Sequence, residues 1–173
     1  MKTVIWLEDN PDTIEDDINE IKKELADILD IQIWSGHYKG SSRGVKCIEN
    51  FKENIQEAID KGFDIVGFII DVRIPIADLS AFAPELAYVK SDAGLISGIQ
   101  IAQYYLRNEE KNSPLEDRFK HTPILFFTVA SGVVKQFPWV QDAQKKYWFI
   151  EKTTPENFNE VKEWLRQLSK ARK

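Results

Sequence analysis

Carboxylates, a hydroxyl and an ammonium group follow short apolar runs at four places in this 173-residue chain. Runs of this kind are typical of buried strands, and the carboxyl ends of parallel strands share one edge of a sheet, where ligands bind in open α/β folds. We therefore expect the polar residues to meet in one crevice. They are Glu8 and Asp9 after the first run, Asp71 after the second, Thr128 at the end of the third and Lys152 close after the fourth.

The chemistry of this set suits phosphoryl transfer. The three acids repel one another unless a cation lies among them. Mg²⁺ is the fitting ion, because it takes a few carboxylates and keeps waters or phosphate oxygens in its other positions. Lys152 can hold a phosphoryl oxygen, and Thr128 can donate a hydrogen bond to another. An ionised aspartate such as Asp71, beside the metal, can act as a nucleophile toward phosphorus.

Alternating strand and helix patterns predict the scaffold for these residues. Five runs indicate strands, at 4–7, 31–34, 65–70, 124–127 and 147–150. Amphipathic stretches between them predict helices at 14–28 (capped by Asp12 or Thr13), 45–59, 96–106 and from Pro155 onward. Residues 131–146 are harder to interpret, because Pro138 interrupts any helix there. With no linker or repeat in the pattern, we expect a single domain over 1–173, built as a (βα)₅ parallel sheet.

Composition and charge limit the classes of function. Hydrophobic residues make up 43% and charged residues 29% of the chain, as in ordinary soluble proteins. No apolar stretch has the length of a membrane span and no signal-peptide pattern opens the chain, so we expect a cytoplasmic protein. The net charge of −5 argues against a nucleic-acid partner. Cys47, the single cysteine, is expected to be buried in a helix. His37 and His121 have no metal-like spacing and are expected in solvated loops.

Taken in order, the motifs resemble those of the response-regulator receiver domain of two-component signalling. The matching segments are Leu7-Glu8-Asp9, Asp71-Val72-Arg73-Ile74-Pro75, Thr128 and Lys152. The resemblance covers the whole chain outside one insertion. It implies a flavodoxin-like, doubly wound parallel sheet with strand order 2-1-3-4-5. It also implies a stand-alone receiver that signals by contact with a downstream protein, because no residues remain for an output domain.

The resemblance implies a role for each matched residue. Asp71 would accept the phosphoryl group from a histidine kinase or a phosphotransfer protein, and Mg²⁺ would be required. The implied metal ligands are Asp9 directly, Glu8 directly or through water, Asp71, and the backbone carbonyl of Arg73. Lys152 would bridge to the phosphate, and Thr128 would turn inward to bond it. Phe149 falls where the family has its aromatic switch residue, and an ordinary core aromatic is the alternative.

The chain departs from the family pattern after Asp71. The family places a glycine soon after its aspartate and proline, but here an insertion at 76–93 precedes Gly94 and Gly98. This insertion is too apolar for a simple tether, so a lid or a partner surface is expected. Val129 stands where the family prefers a very small residue.

Other functions stay open at this point. The insertion and Val129 favour a receiver-like interaction module that is not phosphorylated and acts as a binding scaffold. A Mg²⁺-dependent phosphohydrolase is disfavoured, because Arg73 occupies the place where haloacid-dehalogenase-like enzymes need a second acid. We expect at most phosphoryl self-transfer and self-dephosphorylation rather than conventional turnover. The sequence leaves open whether phosphorylation makes a homodimer.

Overall fold

The computed structural model describes residues 1–35, 46–47, 51–74, 97–108, 113, 115, 117–129, 132 and 147–171. Within these residues six strands form one parallel sheet. They are β1 (Lys2–Leu7), β2 (Asp30–Ser35), β3 (Lys46–Cys47), β4 (Asp64–Ile70), β5 (Ile124–Thr128) and β6 (Tyr147–Glu151). The insertion at 76–93, His37, Gly94 and Pro138 lie outside the described residues, so the predictions for them are not tested.

Five strands match the predicted ones and follow the predicted order. The sheet runs β3-β2-β1-β4-β5-β6, which is order 2-1-3-4-5 once the two-residue β3 is set aside. The most continuously apolar strand, β4, lies between β1 and β5, where a strand has neighbours on both edges. The flavodoxin-like doubly wound fold predicted from the sequence is therefore confirmed.

The short strand β3 corrects one prediction. Cys47 was expected in a helix, but Lys46–Cys47 pairs with Trp34 and Ser35 at the edge of β2. A short apolar pattern such as the one around residues 45–48 fits a strand as well as the start of a helix. Here the segment pairs with the edge of β2. The helix that follows begins at Phe51 instead of at residue 45.

In the described part of the chain, four helices lie between and after the strands. They are α1 (Glu15–Leu25), α2 (Phe51–Asp60), α3 (Ser97–Gln100, continued by a π-helical turn at Ile101–Leu106) and α4 (Pro155–Lys170). Before α1 the chain forms a 3₁₀ turn at Pro11–Ile14, so neither Asp12 nor Thr13 caps α1 as predicted. Pro11, with its fixed φ, starts this tighter turn instead of the helix itself. No helix in the described ranges has both the length and the apolar character needed to cross a bilayer.

The helices cover both faces of the sheet, because successive strand residues point to opposite sides. On β1, Ile5 and Leu7 pack with residues of α2 and α3, whereas Val4 and Trp6 pack with residues of α1 and α4. The apolar face predicted for α4 is buried as expected, through Phe158, Val161, Trp164, Leu165 and Leu168. With both faces covered, the polar residues at the strand ends are left at one edge of the sheet.

Candidate functional site

Backbone hydrogen bonds of the sheet hold the site residues in place. Three of them are the first residues after their strands, and their amides still donate to the neighbouring strand. The pairs are Glu8 N to Trp34 O at 3.0 Å, Asp71 N to Leu7 O at 2.9 Å, and Lys152 N to Thr128 O at 3.1 Å. Thr128 itself is the last residue of β5 and is fully buried. The carboxyl edge of the sheet therefore gathers the residues that the sequence predicted there.

The carboxylates of Glu8, Asp9 and Asp71 form one cluster, with one oxygen from each within 4.8 Å of the others. Burial raises the pKa of Glu8 from 4.5 to about 7, with the negative charge of Asp71 adding to the rise and Lys152 opposing it. Burial, then the charge of Asp71, also raises the pKa of Asp9. The raised pKa values mean that the buried negative charges of these carboxylates are only partly compensated, even with Lys152 nearby. Their oxygens are the ligands that Mg²⁺ prefers, so the donor set fits that ion.

The ammonium group of Lys152 lies among these acids. Its Nζ donates to Asp71 Oδ2 at 2.5 Å and to Glu8 Oε1 at 2.8 Å, and it lies 2.6 Å from Glu8 Oε2. Burial alone would lower the pKa of Lys152, but the charges of Glu8 and Asp71 outweigh it and the pKa is raised. Lys152 is thus a permanent cation at neutral pH, held against the carboxylate of Asp71.

Two backbone amides also donate hydrogen bonds to the carboxylates of this cluster. The amide of Arg73 donates to Asp71 Oδ1 at 3.2 Å, and the amide of Asn10 donates to Glu8 Oε1 at 3.5 Å. Asp71 is therefore held at both oxygens, by a backbone amide on one and by an ammonium group on the other. The Arg73 side chain is exposed, so its place in the site comes from its backbone.

Gly98 is a site residue that the sequence identified only in part. Its amide donates to Val72 O at 3.0 Å, and a Cβ at this position would lie 1.8 Å from the carbonyl oxygen of Asp71. Only glycine lets the start of α3 approach the backbone of Asp71 so closely. The signal in the sequence was the glycine that receiver domains carry after their aspartate, and Gly94 and Gly98 were both available for it.

The other residues that the sequence singled out lie outside this cluster. Phe149 is partly buried against one core cluster, and its neighbour Trp148 is 47% exposed. Val129 is 60% exposed directly after Thr128. His121 lies exposed in a turn before β5, at the opposite end of that strand from Thr128, as expected of a loop histidine.

Comparisons with known proteins agree with this architecture. No protein-family model matches the sequence, and no curated protein is significantly similar to it. Solved structures are similar in fold, beginning with a sensor protein from Polaromonas sp. JS666 at 13% identity and a TM-score of 0.54, covering 97% of this chain and 95% of that one. The signal receiver domain of a DNA-binding response regulator (merR) from Colwellia psychrerythraea 34H has 12% identity and a TM-score of 0.52, covering 99% and 100%. The bacteriophytochrome response regulator AtBRR has 12% identity and a TM-score of 0.54, covering 100% and 96%.

These likenesses show the class of fold. The chain has the fold of response-regulator receiver domains, as the ordered motifs predicted. At identities of 12–13% the similarity concerns the backbone arrangement. The case for a function therefore has to come from the side chains at the carboxyl edge of the sheet.

Proposed function

We propose that this chain is a phosphoacceptor signalling protein that takes a phosphoryl group on Asp71 from a histidine kinase or a phosphotransfer protein. The observation that carries the proposal is the contact between Asp71 Oδ2 and Lys152 Nζ at 2.5 Å, within a cluster of three carboxylates. Phosphoryl acceptance needs a nucleophilic carboxylate, a cation close to it and ligands for a metal ion. Asp71, Lys152 and the acid pair Glu8 and Asp9 supply these three groups. The receiver fold supports the same function, because it brings these residues to the ligand-binding edge.

In the proposed reaction Asp71 is the nucleophile. One of its carboxylate oxygens attacks the phosphorus atom of the donor's phosphohistidine, so that an O–P bond forms while the P–N bond breaks and the imidazole leaves with the electron pair. The Arg73 amide and the Lys152 ammonium orient the two carboxylate oxygens of Asp71. Lys152 also offsets negative charge on the transferred phosphoryl oxygens, and the hydroxyl of Thr128 donates to one of them. Attack of water on phosphorus then returns Asp71 and phosphate, which is self-dephosphorylation.

The metal in this proposal is Mg²⁺. The residues that would hold it are Asp9 directly, Glu8 directly or through water, Asp71, and the backbone carbonyl of Arg73. When bound, Mg²⁺ supplies positive charge to the phosphoryl oxygens. Within the chain itself, Glu8 and Asp9 place carboxylate oxygens close to those of Asp71, so that one divalent cation can bind all three residues.

The signal leaves, in this proposal, by contact with a downstream protein. Phosphate on Asp71 draws Thr128 inward, and the change biases the position of Phe149 on the neighbouring strand β6, which alters the surface around that strand. A homodimer is one form such a contact takes. As part of the same proposal, the protein acts in the cytoplasm.

The first test is phosphoryl uptake from acetyl phosphate in the presence of Mg²⁺, read by intact mass. We expect one phosphoryl group on the natural chain, none on Asp71→Asn, and none after the metal is removed with a chelator. Asp64→Asn is the matched control, since Asp64 lies at the opposite end of the same strand, and it should keep full uptake. Absence of uptake together with undetectable Mg²⁺ binding would contradict the proposal and favour a receiver-like interaction module that is not phosphorylated.

A further inference from the structure

The ammonium group of Lys152 has an aromatic neighbour as well as its carboxylate partners. Its Nζ lies over the ring of Phe127, 5.7 Å from the ring centroid. Phe127 is fully buried, and the Lys152 side chain is 10% exposed, so little water competes for the ammonium group. At this separation the negative face of a ring attracts a cation, more strongly when the pair is desolvated. The contact therefore lies within the range where it can hold the charge.

The ring of Phe127 is itself held on two sides. Trp6 of β1 contacts it edge to face with centroids 5.7 Å apart, and Phe158 of α4 does the same at 5.0 Å. Both neighbours are buried. A ring fixed in this way presents a surface of constant position to the ammonium group, whereas an aliphatic side chain would fill the same core volume with no attraction for the charge.

We propose that Phe127 is a positioning residue for Lys152, a proposal that rests on the phosphoacceptor function above. Glu8 and Asp71 take two sides of the ammonium group by hydrogen bonding. The ring attracts its charge without accepting a conventional hydrogen bond, so the donors stay available to the carboxylates and to an arriving phosphoryl oxygen. When the phosphoryl group enters, the ring keeps the ammonium group at the site while its oxygen partners change.

The test that does not depend on phosphorylation is the nuclear magnetic resonance signal of the Lys152 ammonium group. In the natural protein its protons should be shifted upfield by the ring and protected from exchange with water. Phe127→Leu should abolish the ring shift and speed the exchange. The control is Phe68→Leu, which removes another fully buried strand phenylalanine, one that contacts Phe119 in the other core cluster. This control should leave the Lys152 signal unchanged, and an unchanged signal in Phe127→Leu would overturn the proposal.

The second readout is the rate of phosphoryl uptake from acetyl phosphate with saturating Mg²⁺. We expect Phe127→Leu to be slower by about fivefold to thirtyfold, the range between the strongest exposed cation–aromatic contacts and a desolvated one. Replacing Phe127 with trifluorophenylalanine, which keeps the shape of the ring and removes its negative face, should give most of the same loss. An unchanged rate in the fluorinated protein would show that Phe127 only fills space. Failure of the natural protein to take up phosphate would count against the proposed function, and the ammonium signal would still decide the role of Phe127.

Discussion

Arg107 and Lys152 are both largely buried cations, yet the partners that the described part of the chain gives them differ in kind. Arg107, which follows α3, is 5% exposed and donates to two backbone carbonyls, Phe119 O and Thr122 O, each at 2.6 Å. Lys152 donates to two carboxylates at the carboxyl edge of the sheet. Backbone carbonyls are fixed and neutral, whereas crowded carboxylates can exchange an ammonium group for another cation. The comparison separates a cation that holds the fold from one to which the proposed function assigns a role in phosphoryl transfer.

The two side chains suit these tasks. The planar guanidinium of Arg107 has a rigid set of donors, which matches two carbonyls fixed by the turn before β5. That turn leads into the strand that ends in Thr128, so Arg107 supports the site from a distance. The ammonium group of Lys152 is a compact charge on a flexible stem, which suits a place where the partners change during a reaction.

The largest effect is expected for Lys152→Met. Removal of one partner from a buried charge cluster typically costs about 3–5 kcal/mol, because the remaining charges lose their compensation. We expect a loss near the lower end of that range in the free energy of unfolding without metal, since the high pKa of Glu8 lets it take a proton instead. Added Mg²⁺ should stabilise this variant more than it stabilises the natural protein. Urea unfolding with and without Mg²⁺ measures both quantities, and equal metal effects on the two proteins would contradict the assignment of Lys152 to an exchangeable site.

Arg107→Met comes next. The two carbonyls would lose a charged donor, and a hydrogen bond to a charged group contributes about 1.5–3 kcal/mol. The contact with Thr122 O is only partly buried, so the two contributions do not add in full and a loss of about 2–3 kcal/mol is expected. In contrast to Lys152→Met, the loss should be the same with and without Mg²⁺, because the Phe119 and Thr122 carbonyls that Arg107 contacts lie before β5, at the opposite end of that strand from Thr128. Calorimetry or urea unfolding at both metal concentrations checks this. If Mg²⁺ restored the free energy of unfolding that Arg107→Met loses, the distinction between the two cations would be wrong.

The sequence predicted one half of this comparison and not the other. Glu8, Asp71, Thr128 and Lys152 could be foreseen, because each follows a local apolar pattern and parallel strands end at a common edge. Arg107 could not, since its carbonyl partners lie 12 and 15 residues further along the chain and depend on how the turn before β5 folds back. The fold was predictable for the same reason as the site. What was missed depends on tertiary packing, as in the strand at Lys46–Cys47 and the π-helical turn at Ile101–Leu106.

Phe127 shows the same limit within the site itself. In the sequence it is one of four apolar residues before Thr128, and nothing distinguishes it from core filling. Only the three-dimensional arrangement puts its ring beneath the ammonium group of Lys152. A residue whose role depends on contact with a residue far away in the sequence leaves no local pattern around either one.

Arg107→Lys should have a smaller effect than Arg107→Met. A lysine keeps the charge, but its single ammonium group must reach the two carbonyls that the planar guanidinium group contacts at the same time. One of the two hydrogen bonds is therefore strained or lost. We expect a loss of about 1 kcal/mol, the usual contribution of one hydrogen bond. Thermal unfolding compared with Arg107→Met gives the difference. If the Arg107→Lys variant were as stable as the natural protein, the positive charge alone, and not the geometry of the guanidinium group, would hold the turn.

The smallest effect is expected for Arg166→Met on α4. Arg166 pairs with Glu24 of α1 and lies 3.7 Å from Glu163, but its side chain is 39% exposed. Ion pairs that water and salt can screen contribute about 0–1 kcal/mol, so the loss should stay below about 0.5 kcal/mol and vanish in high salt. Unfolding free energies at low and high sodium chloride concentration measure this. A loss larger than that of Arg107→Lys would mean that burial is not what separates the cations of this protein. The expected difference between the Arg107 and Lys152 variants could then not be explained by their buried carbonyl and carboxylate partners.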